Sequence, residues 1–337
     1  MITFNKNIIN KTINKEKLQI CLKNYLAGAL VYALGIALCR YLPYYKKLLR
    51  PEAQMTLLIF YLCFLLLSPI YGLYNLFYSN SSEIKLPKSK PFLFIQAIKK
   101  LLNEEKIDFE EKTEIKTAVL FLLVKIFFLP LMINFAFSNF QQLGSPSISF
   151  FSYSFLLTLF FTIDTIIFAV AYSLESSYLK NTVRSVEPTL LGWTASLICY
   201  PPFNTIVGKY IPWGANDHVF FWNQTLTMSF HFLLVILLLI YVSSSIALGT
   251  KASNLTNRGI VSKFPYSIVR HPAHISKCTL WWITILPVLN WKFFLGMSFW
   301  TFVYYLRAYT EEKHLSQDPD YIVYKEKVKW KFIPGLI

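Results

Sequence analysis

The sequence predicts an all-α, polytopic transmembrane helical bundle of about eight spans, and three observations predict it. Hydrophobic residues make up 55% of the 337 and charged residues only 15%, with a mean hydropathy of +0.43, so the chain has too few polar groups to cover an aqueous surface. Apolar runs close to the ~20 residues that a membrane helix needs recur along the chain. Lysines gather between these runs rather than within them, which is the positive-inside pattern.

In chain order, spans are expected at residues 25–42, 55–77, 118–137 and 150–172, then at 189–206, where Pro201 and Pro202 interrupt the run, and at 226–248. Two shorter runs, 275–289 and 293–306, are separated only by Asn290, Trp291 and Lys292. They are expected to form a buried helical hairpin whose outer ends meet on one side. Between the second and third spans, residues 92–102 read as a surface-lying amphipathic helix, followed by a solvated acidic linker over 104–114.

The net charge of +15 raises the question of nucleic acid, but the lysines do not form an aromatic-interleaved basic patch, so no nucleic-acid partner is expected. Residues 80–116 carry eight lysines, the tail carries Lys313, Lys325, Lys327, Lys329 and Lys331, and residues 141–149 carry no charge. This bias turns both termini and the 251–270 loop toward the cytoplasm; Arg40, Lys46, Lys47 and Arg50 run against it if the first span crosses. The early lysines Lys6, Lys11, Lys15 and Lys17 resemble a signal peptide, yet no small-residue cleavage site follows, and residues 1–23 are expected to remain as a cytoplasmic arm. The five cysteines show no CxxC pair and no histidine at zinc spacing, so they read as buried small hydrophobes, and no metal is expected.

Polar chemistry concentrates in two pieces flanking the hairpin. Residues 258–274 bring Pro265, Tyr266, Arg270, His271, Pro272 and His274 to the entrance of a membrane helix, where free backbone amides are also available to a nucleotide-like ligand. Taken alone, Arg270 and His271 read first as interfacial anchors at a helix start, ahead of any ligand role. Residues 307–314 place Arg307 and Glu311 four apart on one helix face, with Glu312 beside them. An ordinary surface ion pair is the plain reading, but a guanidinium at the membrane boundary usually has a partner or a ligand.

Three further features stand inside apolar segments. Asp164 interrupts a span and is either functional or paired with a residue such as Lys125, while His231 reads as a hydrogen-bond partner within the bundle. The break at 199–204 must be covered by protein or line a cavity, and is read as a wall of a substrate entry path.

The ordered series of an aromatic, three residues, Arg-His-Pro, a helical hairpin, Arg-x-x-x-Glu-Glu, Tyr-x-x-Tyr and a terminal Ile-Pro resembles the isoprenylcysteine carboxyl methyltransferases and the wider membrane methyltransferases that include phospholipid N-methyltransferases. Here it is carried by Tyr266, Arg270, His271, Pro272, Arg307, Glu311, Glu312, Tyr321, Tyr324, Ile333 and Pro334. The resemblance divides the chain into an N-terminal transmembrane region of unassigned role, 1–187, and a methyltransferase-like domain, 188–337, with its core at 226–334.

The resemblance implies a cytoplasmic S-adenosylmethionine pocket formed by the hairpin and tail, with contacts at Gly259, Ile260, Val261, Tyr266, Arg270, His271, Pro272 and Glu311. It implies a lipid-bearing acceptor that enters from the bilayer, most directly a prenylated or lipidated cysteine carboxylate held by Arg307, with His274 and Glu312 also on the substrate side. Glu311 would favour the cationic sulfonium and Arg307 would orient the carboxylate, which needs no general base; an amine acceptor would need one, with His274 or Glu312 as candidates. The family usually has glycine, tyrosine and glycine where this chain has Phe264, His274 and Ser276, which bears on the turn and on acceptor recognition.

The expected location is a multi-pass position in a bacterial inner membrane or, in a eukaryote, the endoplasmic reticulum. The competing readings are a phospholipid N-methyltransferase, a sterol-type membrane reductase using NADPH, and a non-catalytic transporter with a decayed methyltransferase half.

Overall fold

The computed structural model describes residues 15–78, 87–106, 108–146, 148–150, 152–215 and 219–336. The chain forms two compact units, 1–126 and 127–337. This division follows packing, whereas the division at 187 follows the motif series.

In the first unit, α1 (Lys15–Tyr41) packs against α3 (Pro51–Tyr78), and the short α2 (Pro43–Leu48) joins them. Contact is close because Gly28 leaves room for the Phe64 ring, which also meets Tyr32 edge-on at 5.0 Å. Residues 1–14 of the expected N-terminal arm lie outside the described residues, and from Lys15 onward the chain is already α1. The amphipathic segment is α4 (Lys90–Leu102), capped by Ser89 Oγ, which accepts from Phe92 N at 3.3 Å.

The acidic stretch is no linker beyond residue 108, because α5 (Phe109–Leu143) begins inside it. Acidic residues suit a helix N-terminus, and Glu111 accepts from Gln96 Nε2 at 2.7 Å and pairs with Lys100 Nζ.

The second unit contains the rest of α5, then α6 (Tyr153–Ser173), β1 (Ser185–Val186), α7 (Leu190–Leu197), α8 (Phe203–Gly208), α9 (Gln224–Leu248), β2 (Thr256–Asn257), α10 (Pro272–Thr284), α11 (Trp291–Leu315) and α12 (Pro319–Lys327). Side-chain caps start three of its long helices: Ser152 on α6, Asn223 on α9 and Asn290 on α11. Helix α9 packs on α6 and α10, and α11 packs on α7 and α10, around a core that includes Leu234, Leu238, Trp281, Ile285 and Met297. The two short strands pair antiparallel, with Ser185 opposite Asn257 and Val186 opposite Thr256.

Among the described residues, five helices are long and apolar enough to cross a membrane: α1, α3, α5, α6 and α9. The expected run at 189–206 is split by Pro201 and Pro202 into α7 and α8, of 8 and 6 residues, each far short of a bilayer. The hairpin is α10, a 3₁₀ turn at Leu286–Val288, and α11, which runs on without a break through Arg307 and Glu311. At 13 residues α10 is only about 20 Å long.

Gly296 of α11 lies against the chain at residue 212, where an added Cβ would stand 2.1 Å from the Pro212 carbonyl oxygen. Backbone cannot yield as a side chain tip can. Gly296→Ala is expected to cost about 1–3 kcal/mol by overpacking and to lower the thermal midpoint of the detergent-solubilised protein by several degrees, read by intrinsic fluorescence.

Candidate functional site

The chain leaves α9 at Gly249, whose φ of +50° suits glycine, and crosses back through β2 before entering α10. Three polar contacts hold this crossing segment. Asn254 N donates to the Tyr172 hydroxyl at 2.7 Å, Asn254 Nδ2 donates to the Tyr200 hydroxyl at 3.2 Å, and Arg258 Nη1 donates to the Ala171 carbonyl at 2.7 Å. The last contact satisfies an unpaired carbonyl in the closing turn of α6.

The segment roofs a cavity of about 160 Å³, far above the ~10–15 Å³ that a single water requires. Its wall takes Asp164 from α6, Tyr241 and Ser245 from α9, Asn254, Tyr266, Arg270 and His271 from the crossing segment, His274 and Lys277 from α10, and Tyr304, Arg307, Glu311 and His314 from α11. Glu187 and Tyr200 also line it. Six residues that the resemblance implies for the site, Tyr266, Arg270, His271, His274, Arg307 and Glu311, thus share one cavity, and Asp164 lines it with them.

Five others lie off its wall. Gly259 N donates to Asn257 Oδ1 at 2.9 Å, Ile260 packs on Tyr321, Tyr324 and Val328, and Val261 follows it in the same loop. Pro272 is the first residue of α10, where its missing N–H costs nothing. Glu312 is buried in an ion-pair cluster: Arg270 Nε donates to its Oε1 at 2.6 Å, Lys331 Nζ lies 2.8 Å from its Oε2, and His271 Nε2 lies 3.3 Å from its Oε1.

Arg270 therefore does mechanical work at the edge of the cavity. Its Nη1 donates to the Val328 and Lys329 carbonyls, both at 2.7 Å, and its backbone N donates to Trp330 O at 2.9 Å, stitching the tail to the start of α10. Burial opposes ionisation of Glu312, but its close neighbours His271, Lys331 and Arg270 outweigh burial and hold the carboxyl well below the usual carboxylate range. Burial, reinforced by His271, Arg307 and Lys277, pushes the His274 imidazole well below its ordinary value, leaving it neutral near pH 7.

Arg307 is not paired with Glu311. Its Nη2 donates to Asn254 Oδ1 at 2.9 Å and its guanidinium lies 5.0 Å from the Tyr304 ring centre. Glu311 instead faces His271, with Oε2 4.0 Å from Nδ1. Among the described residues, His271, His274 and Glu311 bring three donor atoms within 4.8 Å of one another. Deeper in the wall, Asp164 accepts from Tyr241 OH at 2.8 Å and from Ser245 Oγ. Lys125, the partner considered from the sequence, is in the first unit and lies over the Tyr32 ring at 4.9 Å instead.

Sequence reasoning missed Asn254, Glu187, Tyr241, Ser245 and Lys277. Lys277 carried a readable signal, a charge within an apolar run. Glu187 and Asn254 sit in short irregular segments with no periodicity to mark them. Glu187 is buried, with Oε1 accepting from Thr189 N at 3.0 Å, and His314 links it to β1, since Ser185 Oγ lies 2.8 Å from His314 Nε2. His231 stands apart from this cavity, with Nε2 3.0 Å from Val219 O and its ring stacked on Tyr153 at 4.2 Å.

No family model, curated protein or solved structure matches the chain.

Glu312→Gln leaves the Arg270 guanidinium buried without its counter-charge and is expected to destabilise the second unit by on the order of 3–5 kcal/mol at neutral pH. Because the folded carboxyl titrates below its ordinary value of 4.5, its stabilisation is full above that pH and fades as pH falls toward the folded value. Thermal midpoints measured from neutral to acid pH should show this acid loss in the wild type and a flatter profile in Glu312→Gln.

Proposed function

We propose that this membrane protein transfers a methyl group from S-adenosylmethionine to a membrane-embedded acceptor, foremost the carboxylate of a prenylated or otherwise lipidated cysteine. The observation that carries the proposal is that His271 and Arg307, from the two segments flanking the hairpin, open on a single polar cavity. The motif series brings the same residues together in the membrane methyltransferases it resembles.

The donor set suits the cofactor. Glu311 is half-exposed and, among the described residues, its carboxylate has no lysine or arginine within 4.0 Å, so it remains available to a cation. The ring of Tyr266 on the same wall adds an aromatic group of the kind that attracts onium groups, while Tyr304 already carries Arg307. When bound, S-adenosylmethionine supplies an electrophilic methyl on a sulfonium.

The chain's own groups then orient and desolvate. Asn254 fixes one nitrogen of Arg307, which leaves the rest of the planar fork to grip an acceptor carboxylate. A carboxylate is already ionised near pH 7 and needs only alignment and exclusion of water. A neutral His274 can accept the proton of an amine, which keeps an aminophospholipid acceptor in view. Tyr200, at the α7–α8 break, lines the cavity and supports a lateral path from the lipid, and the lysine bias favours a cytoplasmic opening, in a bacterial inner membrane or the endoplasmic reticulum.

A second reading, ion-coupled transport, is favoured by Asp164, a carboxylate within the span-length helix α6 that faces the same cavity. Radiolabelled S-adenosylmethionine is expected to bind the detergent-purified protein and NADPH is not; the reverse result means a reductase. Arg307→Ala should lower methyl incorporation, read by mass spectrometry of lipids and lipidated peptides, by about 10²-fold or more with cofactor binding retained. Glu311→Gln should weaken cofactor binding itself. A cellular phenotype lost in Asp164→Asn but kept in both other variants overturns methyl transfer in favour of transport.

A further inference from the structure

The geometry points to a divalent transition-metal site of the zinc class at His271, His274 and Glu311, with an open coordination position facing the cavity. His271 and His274 stand three apart at the start of α10, and Glu311 reaches them from α11, so each offers one donor atom within a 4.8 Å span. Two imidazoles and a carboxylate are a donor set that suits zinc and its neighbours rather than calcium or magnesium.

Two further features point to a metal. Glu312 Oε1 stands 3.3 Å from His271 Nε2 and is itself held by Arg270 and Lys331. The imidazole lies between the two carboxylates, Nε2 toward Glu312 and Nδ1 toward Glu311, so a carboxylate stands behind the ring as it does behind metal-bound histidines. The second feature is that His271 Nε2 and His274 Nε2 are both buried and have no hydrogen-bond partner in the protein. Buried polar atoms are nearly always satisfied, so two unpartnered imidazole nitrogens within one cluster fit a bound ligand there.

Tetrahedral zinc with legs of ~2.0–2.1 Å needs donors roughly 3.3 Å apart, so the cluster must tighten by on the order of 1 Å. Glu311 has the freedom to do so, since its side chain is 49% exposed, while the His271 side chain is only 4% exposed. Arg307 and Lys277 stand in the same wall and oppose a cation, which an anionic fourth ligand would offset. Three protein ligands with a vacant fourth position are the pattern of a reactive zinc rather than a structural one.

The inference stands on these three side chains and not on methyl transfer, although metal and sulfonium would both use Glu311 and so compete for it. The test is titration of chelator-stripped, full-length protein in detergent with cobalt(II) chloride, following d–d absorption and metal stoichiometry. One equivalent with four-coordinate absorption is expected, weakened about tenfold or more in His274→Ala and in Glu311→Gln. Because Glu311 is half-exposed, its variant should keep the wild-type thermal midpoint, which separates ligand loss from misfolding. Cobalt binding that is absent, or equally tight in both variants, overturns the site. Cofactor binding measured on the metal-free protein reports separately on the methyl-transfer reading.

Discussion

The buried ion pair between Arg270 and Glu312 is the constraint on which the second unit depends. Placing a guanidinium and a carboxylate in a protein interior is costly unless every remaining donor and acceptor is engaged. Here the guanidinium also reaches the Val328 and Lys329 carbonyls, and the carboxylate also meets Lys331 and His271. One contact set thus joins the start of α10, the end of α11 and the tail. The cavity wall exists because these three pieces cannot separate without leaving a charge stranded.

The same economy governs the backbone. Short helices expose unpaired amides and carbonyls at their ends, and in an apolar surrounding those groups need partners. Arg258 takes the last carbonyls of α6, Thr189 Oγ1 accepts from Gly192 N at the start of α7, and Asn290 serves the hairpin turn. The polar side chains that look anomalous in so hydrophobic a chain are therefore spent largely at helix ends and loop crossings.

The long helices were legible because length and apolarity are local properties: α3, α5, α6 and α9 each overlap a run visible in the sequence. The hairpin was legible for the same reason. Less visible were features set by tertiary context. An acidic stretch looks like a solvated linker until Glu111 finds Gln96 and Lys100 and the helix starts early. A run of apolar residues around Pro201 and Pro202 has the composition of a span without the length to be one. In the site, the Arg-His-Pro and Arg-x-x-x-Glu-Glu segments marked residues that do meet, whereas Glu187 and Asn254 gave no sign, since a single polar residue in a loop acquires its role only from what the fold lays beside it.

Glu311 and Glu312 show how finely that context discriminates. They are chemically identical neighbours, and a helix rotates successive side chains by about 100°. Glu312 consequently points into the packed junction, where its three cationic or imidazole neighbours keep it ionised. Glu311 points at the cavity, where no lysine or arginine among the described residues takes its charge. Only the second carboxylate retains electrostatic capacity for something from outside the chain. His271 lies between the two, one ring nitrogen toward each, so the junction that holds the fold together also sets the orientation of the imidazole presented to the cavity. Stability and ligand chemistry are coupled through that one ring, and whatever cation the cavity receives is received by a surface whose geometry the buried pair has already fixed.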